Sequence, residues 1–147
     1  MLQLPADEVL VAGRWRRGAG ARTETVDPAT GRVLTAVHAA SVEDVDEAAE
    51  GAAAASADPA WRELPAHLRA RLLHRIAELI EHEAEALSAL QTADTGKSRT
   101  ETRALVHSAA GTFRYTAAAL ETAEDAVTPS RGAYVTVSLH EPIGVVG

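Results

Sequence analysis

The sequence predicts an α/β protein, and three observations carry that expectation. The first forty residues hold short β-prone runs separated by turn chemistry; a long middle stretch repeats its apolar residues at helical spacing. The chain then closes on Glu141-Pro142-Ile143-Gly144-Val145-Val146-Gly147, an apolar, β-branched run between Pro and Gly. Such runs suit a strand buried on both faces of a parallel sheet. A buried strand needs a partner for every backbone N–H and C=O, and no downstream residues follow to provide one. The terminus therefore reads as a cut through a larger fold.

Val9-Leu10-Val11 and Arg14-Trp15, separated by Ala12-Gly13, read as two short strands about a tight turn. Gly18-Ala19-Gly20 makes a loop. Thr23 to Val26 is the next strand, Asp27-Pro28-Ala29-Thr30-Gly31 its turn, and Arg32 to His38 the return strand. Together these form a small antiparallel β element.

Three helices are expected to follow. Ser41-Val42-Glu43-Asp44 starts the first, with Ser41 as N-cap, and Asp58-Pro59 ends it. The second begins near Pro65. Its apolar face is read as Leu68, Leu72, Leu73, Ile76, Leu79 and Ile80, opposite His67, Arg71, His74, Arg75, Glu78 and His82. It continues with a bend through Leu87 and Leu90 until Gly96 caps it. Ser98-Arg99-Thr100-Glu101 starts the third, whose buried stripe is read as Leu105, Val106, Ala109, Phe113 and Leu120. Thr128 to Arg131 is expected as a loop, and Ala133 to His140 alternates as a full strand with one unpaired edge.

Composition narrows the function classes. At 147 residues the chain can bury one core, and it carries 21 acidic against 14 basic residues for a net charge of −7. That balance repels nucleic acid and anionic membranes, and the patch at Arg14, Arg16 and Arg17 is too small to reverse it. No stretch approaches ~18 consecutive apolar residues, so no membrane span is expected. Met1 to Glu8 lacks the pattern of a signal peptide, which makes the cytoplasm the expected location. Cysteine is absent, so the chain offers no disulfide, thiolate ligand or thiol nucleophile.

Several near-motifs fail on their chemistry. Gln91 to Ser98 resembles a phosphate-binding loop, but Gln91 stands where its first glycine must sit, and a helix precedes it instead of a strand. His82-Glu83 begins a zinc motif that Ala86 ends. The serines lack the G-x-S-x-G elbow, and Gly144-x-x-Gly147 is too short for a dinucleotide fingerprint.

Taken in order, several segments resemble the N-terminal third of NAD(P)-dependent aldehyde dehydrogenases. They are Gly13-Arg14-Trp15, Thr25-Val26-Asp27-Pro28-Ala29-Thr30-Gly31, Glu43-Asp44-Val45, Trp61 and Arg71-Leu72-Leu73. Asp94-Thr95-Gly96-Lys97, Phe113-Arg114-Tyr115 and the terminal Glu141–Gly147 complete the set, with most likeness to the betaine-aldehyde and general aldehyde branches. The resemblance implies a division into the N-terminal part of a cofactor-binding domain (1–126), an oligomerisation-arm strand (127–141) and the start of the first Rossmann-like strand, cut short (142–147).

The same resemblance implies oxidation of an aldehyde to a carboxylic acid with NAD or NADP, in a homo-oligomer, dimeric or tetrameric. In that chemistry a cysteine thiolate attacks the carbonyl, an amide and a backbone N–H hold the oxyanion, and a glutamate activates water. The family's asparagine, glutamate and cysteine lie downstream of the motif at Glu141–Gly147, so the chain is expected to be inactive alone, with no catalytic or coenzyme-binding residue of its own. Another expectation is a non-catalytic module that associates with a full-length dehydrogenase. The resemblance also implies a monovalent-cation site at Thr25, Val26 and Asp94, since carboxylate and carbonyl oxygens suit a hard cation. The alternative is that Asp94 only stabilises the helix junction. Leu105 and Ser108 stand where members acting on cationic aminoaldehydes often carry acids, which speaks against a cationic substrate. With so much apolar surface lacking a partner, the chain alone is expected to aggregate or be partly molten.

Overall fold

A tight turn at Ala12–Gly13, both at positive φ, joins β1 (Val9–Val11) to β2 (Arg14–Arg16) as an antiparallel pair. This computed structural model describes residues 7–147, so the reading of Met1–Ala6 lies outside the described residues. A second hairpin follows, β3 (Arg22–Val26) with β4 (Val33–His38), in which Thr25 opposes Thr35 and the register shifts between Thr25 and Val26. Its turn is closed by Asp27, whose Oδ1 accepts the Ala29 N–H at 2.8 Å. These hairpins match the expected β element.

Helix α1 (Val42–Ala57) starts as its sequence requires. Ser41 Oγ accepts the Asp44 N–H, and the Asp44 carboxylate returns the bond to the Ser41 N–H at 2.9 Å. Asp44 is buried, and it also accepts the Ala19 N–H at 2.9 Å and a 2.8 Å bond from Arg16 Nη2. One carboxylate thus ties α1 to both the loop after β2 and β2 itself. A single turn, α2 (Pro59–Arg62), follows Asp58.

The second expected helix is two helices, α3 (Ala66–His82) and α4 (Ala84–Thr95), broken at Glu83. With α5 (Arg99–Glu121) they make the helical core, α3 and α5 having the most extensive contact. Glu85 of α4 accepts from Arg99 and Arg103 of α5 at 2.9 Å each, and Thr92 bonds Thr102 at 2.9 Å.

The core corrects the expected apolar stripes. The buried residues of α3 are Ala70 and Ala77, and those of α5 are Thr102, Val106, Ala110 and Ala117. Leu72 and Leu79 lie about half a turn away around α3 and are exposed, Leu79 at 47%, and Ile76, about 100° from Ala77, is exposed as well. Leu105 is exposed as well. Alanines spaced by seven residues on both helices let the backbones approach closely, which larger side chains would prevent. Large apolar residues stand out in a sequence; the small ones make this contact.

The C-terminal region differs in two further ways. Thr128, expected in a loop, ends β5 (Ala126–Thr128), which pairs antiparallel with β6 (Thr136–Ser138). The strand expected over Ala133–His140 is therefore only three residues long, and one of its edges is paired. The Glu141–Gly147 run forms no strand, and Ile143 is 92% exposed. A strand exists only against a partner, and among the described residues none lies beside it. Gly144, Val145 and Val146 instead border a shallow pocket with Ala52, Ser56 and Trp61.

Candidate functional site

Two of the three predicted cation ligands meet in one place. A pocket of about 640 Å³ opens between the β3–β4 hairpin and the three core helices. Its apolar wall is Leu34 of β4, Ile80 of α3, Leu87 and Leu90 of α4, and Val106 and Ala109 of α5. Its polar end is Thr25 of β3, Thr35 of β4, and Gln91, Asp94 and Thr95 of α4. Val26, the third predicted ligand, does not line the pocket and is exposed. The register shift after Thr25 locally breaks the alternation of the strand.

Local chemistry explains why Asp94 arrives there. Helix α4 ends at Gly96 with φ +74°, a left-handed conformation that glycine adopts without a Cβ penalty. A Cβ on Gly96 would lie 2.9 Å from Pro28 Cγ, so the helix end sits directly on the turn of the β3–β4 hairpin. The bare glycine permits that approach and holds the last turn of α4 beside β3.

The hydrogen bonds set the electrostatics. Thr95 Oγ1 donates to the Gln91 carbonyl at 2.7 Å, and Thr25 Oγ1 donates to the Thr35 carbonyl at 3.5 Å. Thr95 Oγ1 also accepts the Lys97 N–H at 3.4 Å, so of the two hydroxyls Thr25 keeps the freer oxygen. The Asp94 carboxylate is exposed and takes no hydrogen bond or ion pair from the described residues, and it is the one charged group in the pocket lining. Beyond the pocket, no cluster of three His, Asp or Glu side chains suited to a metal ion occurs among the described residues.

Gln91, Thr35 and Thr95 were not expected as site residues from the sequence. Gln91 lies one helical turn before Asp94, and Thr35 is the partner of Thr25 across the hairpin, so helix period and strand register together would have found both.

Against known proteins, the aldehyde dehydrogenase family model matches residues 15–147. The chain belongs to the aldehyde dehydrogenase family. It is 34% identical over 148 residues to aldehyde dehydrogenase family 2 member B4, mitochondrial, of Arabidopsis thaliana, covering 99% of this chain and 28% of that protein. A putative aldehyde dehydrogenase from Burkholderia cenocepacia superposes with a TM-score of 0.81 at 33% identity, covering 90% of this chain and 27% of the other. A point mutant of Staphylococcus aureus betaine aldehyde dehydrogenase, in complex with NAD+, gives a TM-score of 0.83 at 25% identity, covering 89% and 27%. In each comparison the aldehyde dehydrogenase matched is several times longer than the aligned region. The chain spans little more than a quarter of these relatives, and its α/β architecture is that of their N-terminal part.

Proposed function

We propose that the chain is the N-terminal part of an oxidoreductase that converts an aldehyde to a carboxylic acid with NAD or NADP, and that these 147 residues do not catalyse alone. The observation that carries this reading is the conjunction of family membership with a cysteine count of zero. A thiolate nucleophile is the part of this chemistry that no other residue type here can supply. The helices and hairpins would serve as scaffold for a coenzyme site completed elsewhere. The cytoplasm remains the proposed location, and no described helix is long and apolar enough to cross a membrane.

The segment 127–141 is proposed as an oligomerisation arm. Among the described residues strand β6 is hydrogen-bonded along one edge only, and Val135, Val137 and Leu139 are exposed, so a second chain could extend the ladder. That same edge supports the other reading, a non-catalytic module that docks onto a full-length dehydrogenase. A cation role is proposed for Asp94 with Thr25; Val26, outside the pocket, has the weaker support.

Co-expression tests the first reading. A polypeptide comprising the rest of a family member, beyond the region matched here, should co-purify with this chain and yield aldehyde-dependent NADH formation. Failure of any such complex to form would remove the scaffold reading. For the second, mixing with an intact dehydrogenase should give co-elution on size exclusion, and separate elution would discard it.

A further inference from the structure

Three side chains from distant segments meet at the end of the second hairpin. Asp7, just ahead of β1, accepts the His38 backbone N–H at 2.6 Å, and its carboxylate oxygens lie 2.8 and 2.9 Å from His38 Nδ1. Arg17, just after β2, places Nη2 2.8 Å from His38 Nε2. Its Nε lies 3.1 Å from both Asp7 Oδ2 and His38 Nδ1. The His38 side chain is 17% exposed and that of Arg17 65%.

The chemistry of these groups selects one tautomer. A carboxylate only accepts and a guanidinium only donates. Nδ1 must therefore carry the proton that goes to Asp7, and Nε2 must be bare to accept from Arg17. The Arg17 Nε–H then goes to Asp7 Oδ2. The ring of hydrogen bonds closes only while the imidazole is neutral.

Protonation changes one side of that ring and keeps the other. The Nδ1–H bond to Asp7 remains and becomes charge-assisted on both sides. Nε2 becomes a donor facing a donor, and imidazolium meets guanidinium. The other charged groups near by among the described residues do not offset that. Arg22, opposite His38 in the β3–β4 register, adds a second cation, and Glu24 is engaged by Arg22 at 3.1 Å. Asp7 stays ionised through this step, because the hydrogen bonds from His38, with Arg17 beside them, hold its carboxyl below the usual carboxylate range. The loop after Arg17 also stays in place: the Gly20 N–H donates to the Ala39 carbonyl at 2.8 Å, and a Cβ on Gly18 would lie 2.7 Å from the His38 carbonyl oxygen. The Arg17 side chain, mostly in solvent, is the part free to leave.

We infer that His38 is an acid-released clasp: neutral, it joins the segment before β1 and the end of β2 to β4; protonated, it keeps Asp7 and lets Arg17 go. The inference does not depend on dehydrogenase chemistry or on the pocket at Asp94.

The test is exchange of the histidine ring Cε1 proton for deuterium, read by mass spectrometry on the 147-residue chain from about pH 5 to about pH 8, the span in which histidine titrates. Each histidine is followed in its own peptide, the measurement tolerates self-association, and His82, with a side chain 78% exposed, is the reference. Linkage is reciprocal: if protonation releases Arg17, removing Arg17 makes protonation easier. Arg17→Met should therefore raise the His38 midpoint by about half a pH unit, and Asp7→Asn should lower it, with His82 unmoved. A midpoint that Arg17→Met leaves in place or lowers, one that Asp7→Asn leaves in place or raises, or an equal movement at His82 would each overturn the proposal.

Discussion

Asp44 ties helix α1 to two earlier segments of the chain. It closes the capping box of α1, accepts the Ala19 amide and receives Arg16. The Ala19 and Ser41 amides, with Arg16 nearby, hold its carboxyl below the usual carboxylate range. A carboxyl lowered in the folded state stabilises the fold at pH values above the unfolded value, near ~4, and loses that contribution as pH falls through its own depressed value. Urea melts from pH 7 downward should therefore show stability falling below about pH 4, and Asp44→Asn should flatten that acid limb. Gly96 is the second residue whose role is local. Gly96→Ala imposes a left-handed conformation on a Cβ that would also meet Pro28, so it should cost about 1–2 kcal/mol in equilibrium unfolding. The two caps were legible in the sequence, because caps are set by residue type and spacing within a few positions, whereas the bonds from Arg16 and Ala19 come from distant segments.

At the scale of elements, legibility depended on where the partner of each element lay. The hairpins, the start and end of α1, the end of α4 and the start of α5 follow from local chemistry, and they stand where the sequence put them. The α3–α5 contact does not: it is built on Ala70, Ala77, Ala110 and Ala117, which carry no conspicuous signal beside the leucines. The consequence is a reversal that can be measured. Ala77→Leu, small in a helix of leucines, should overpack the contact and cost about 1–3 kcal/mol, whereas Leu79→Ser should change stability by less than about 0.5 kcal/mol. Denaturant midpoints of the two variants decide this, and a larger loss from Leu79→Ser would restore the leucine stripe as the core. The strand expected at Glu141–Gly147 failed for a related reason, since its hydrogen-bonding partners are not among the described residues. The pocket was half legible: Asp94 and Thr25 came from family likeness, while its apolar wall came only from the assembled helices and hairpin.

For the whole molecule, exposed Leu72, Leu79, Val137, Leu139, Ile143 and Val146 leave a large apolar surface uncovered. The isolated chain should self-associate or melt over a broad range, and a sharp, concentration-independent monomeric transition in calorimetry would contradict that. The chain has no cysteine, spans little more than a quarter of its relatives and has the architecture of their N-terminal part, and the proposed lack of turnover follows from the missing thiol. Aldehyde-dependent formation of NADH or NADPH by the purified 147-residue chain measures this most directly. The expected result is no turnover with aliphatic, aromatic or amino aldehydes; steady coenzyme reduction that co-purifies with the chain would contradict it.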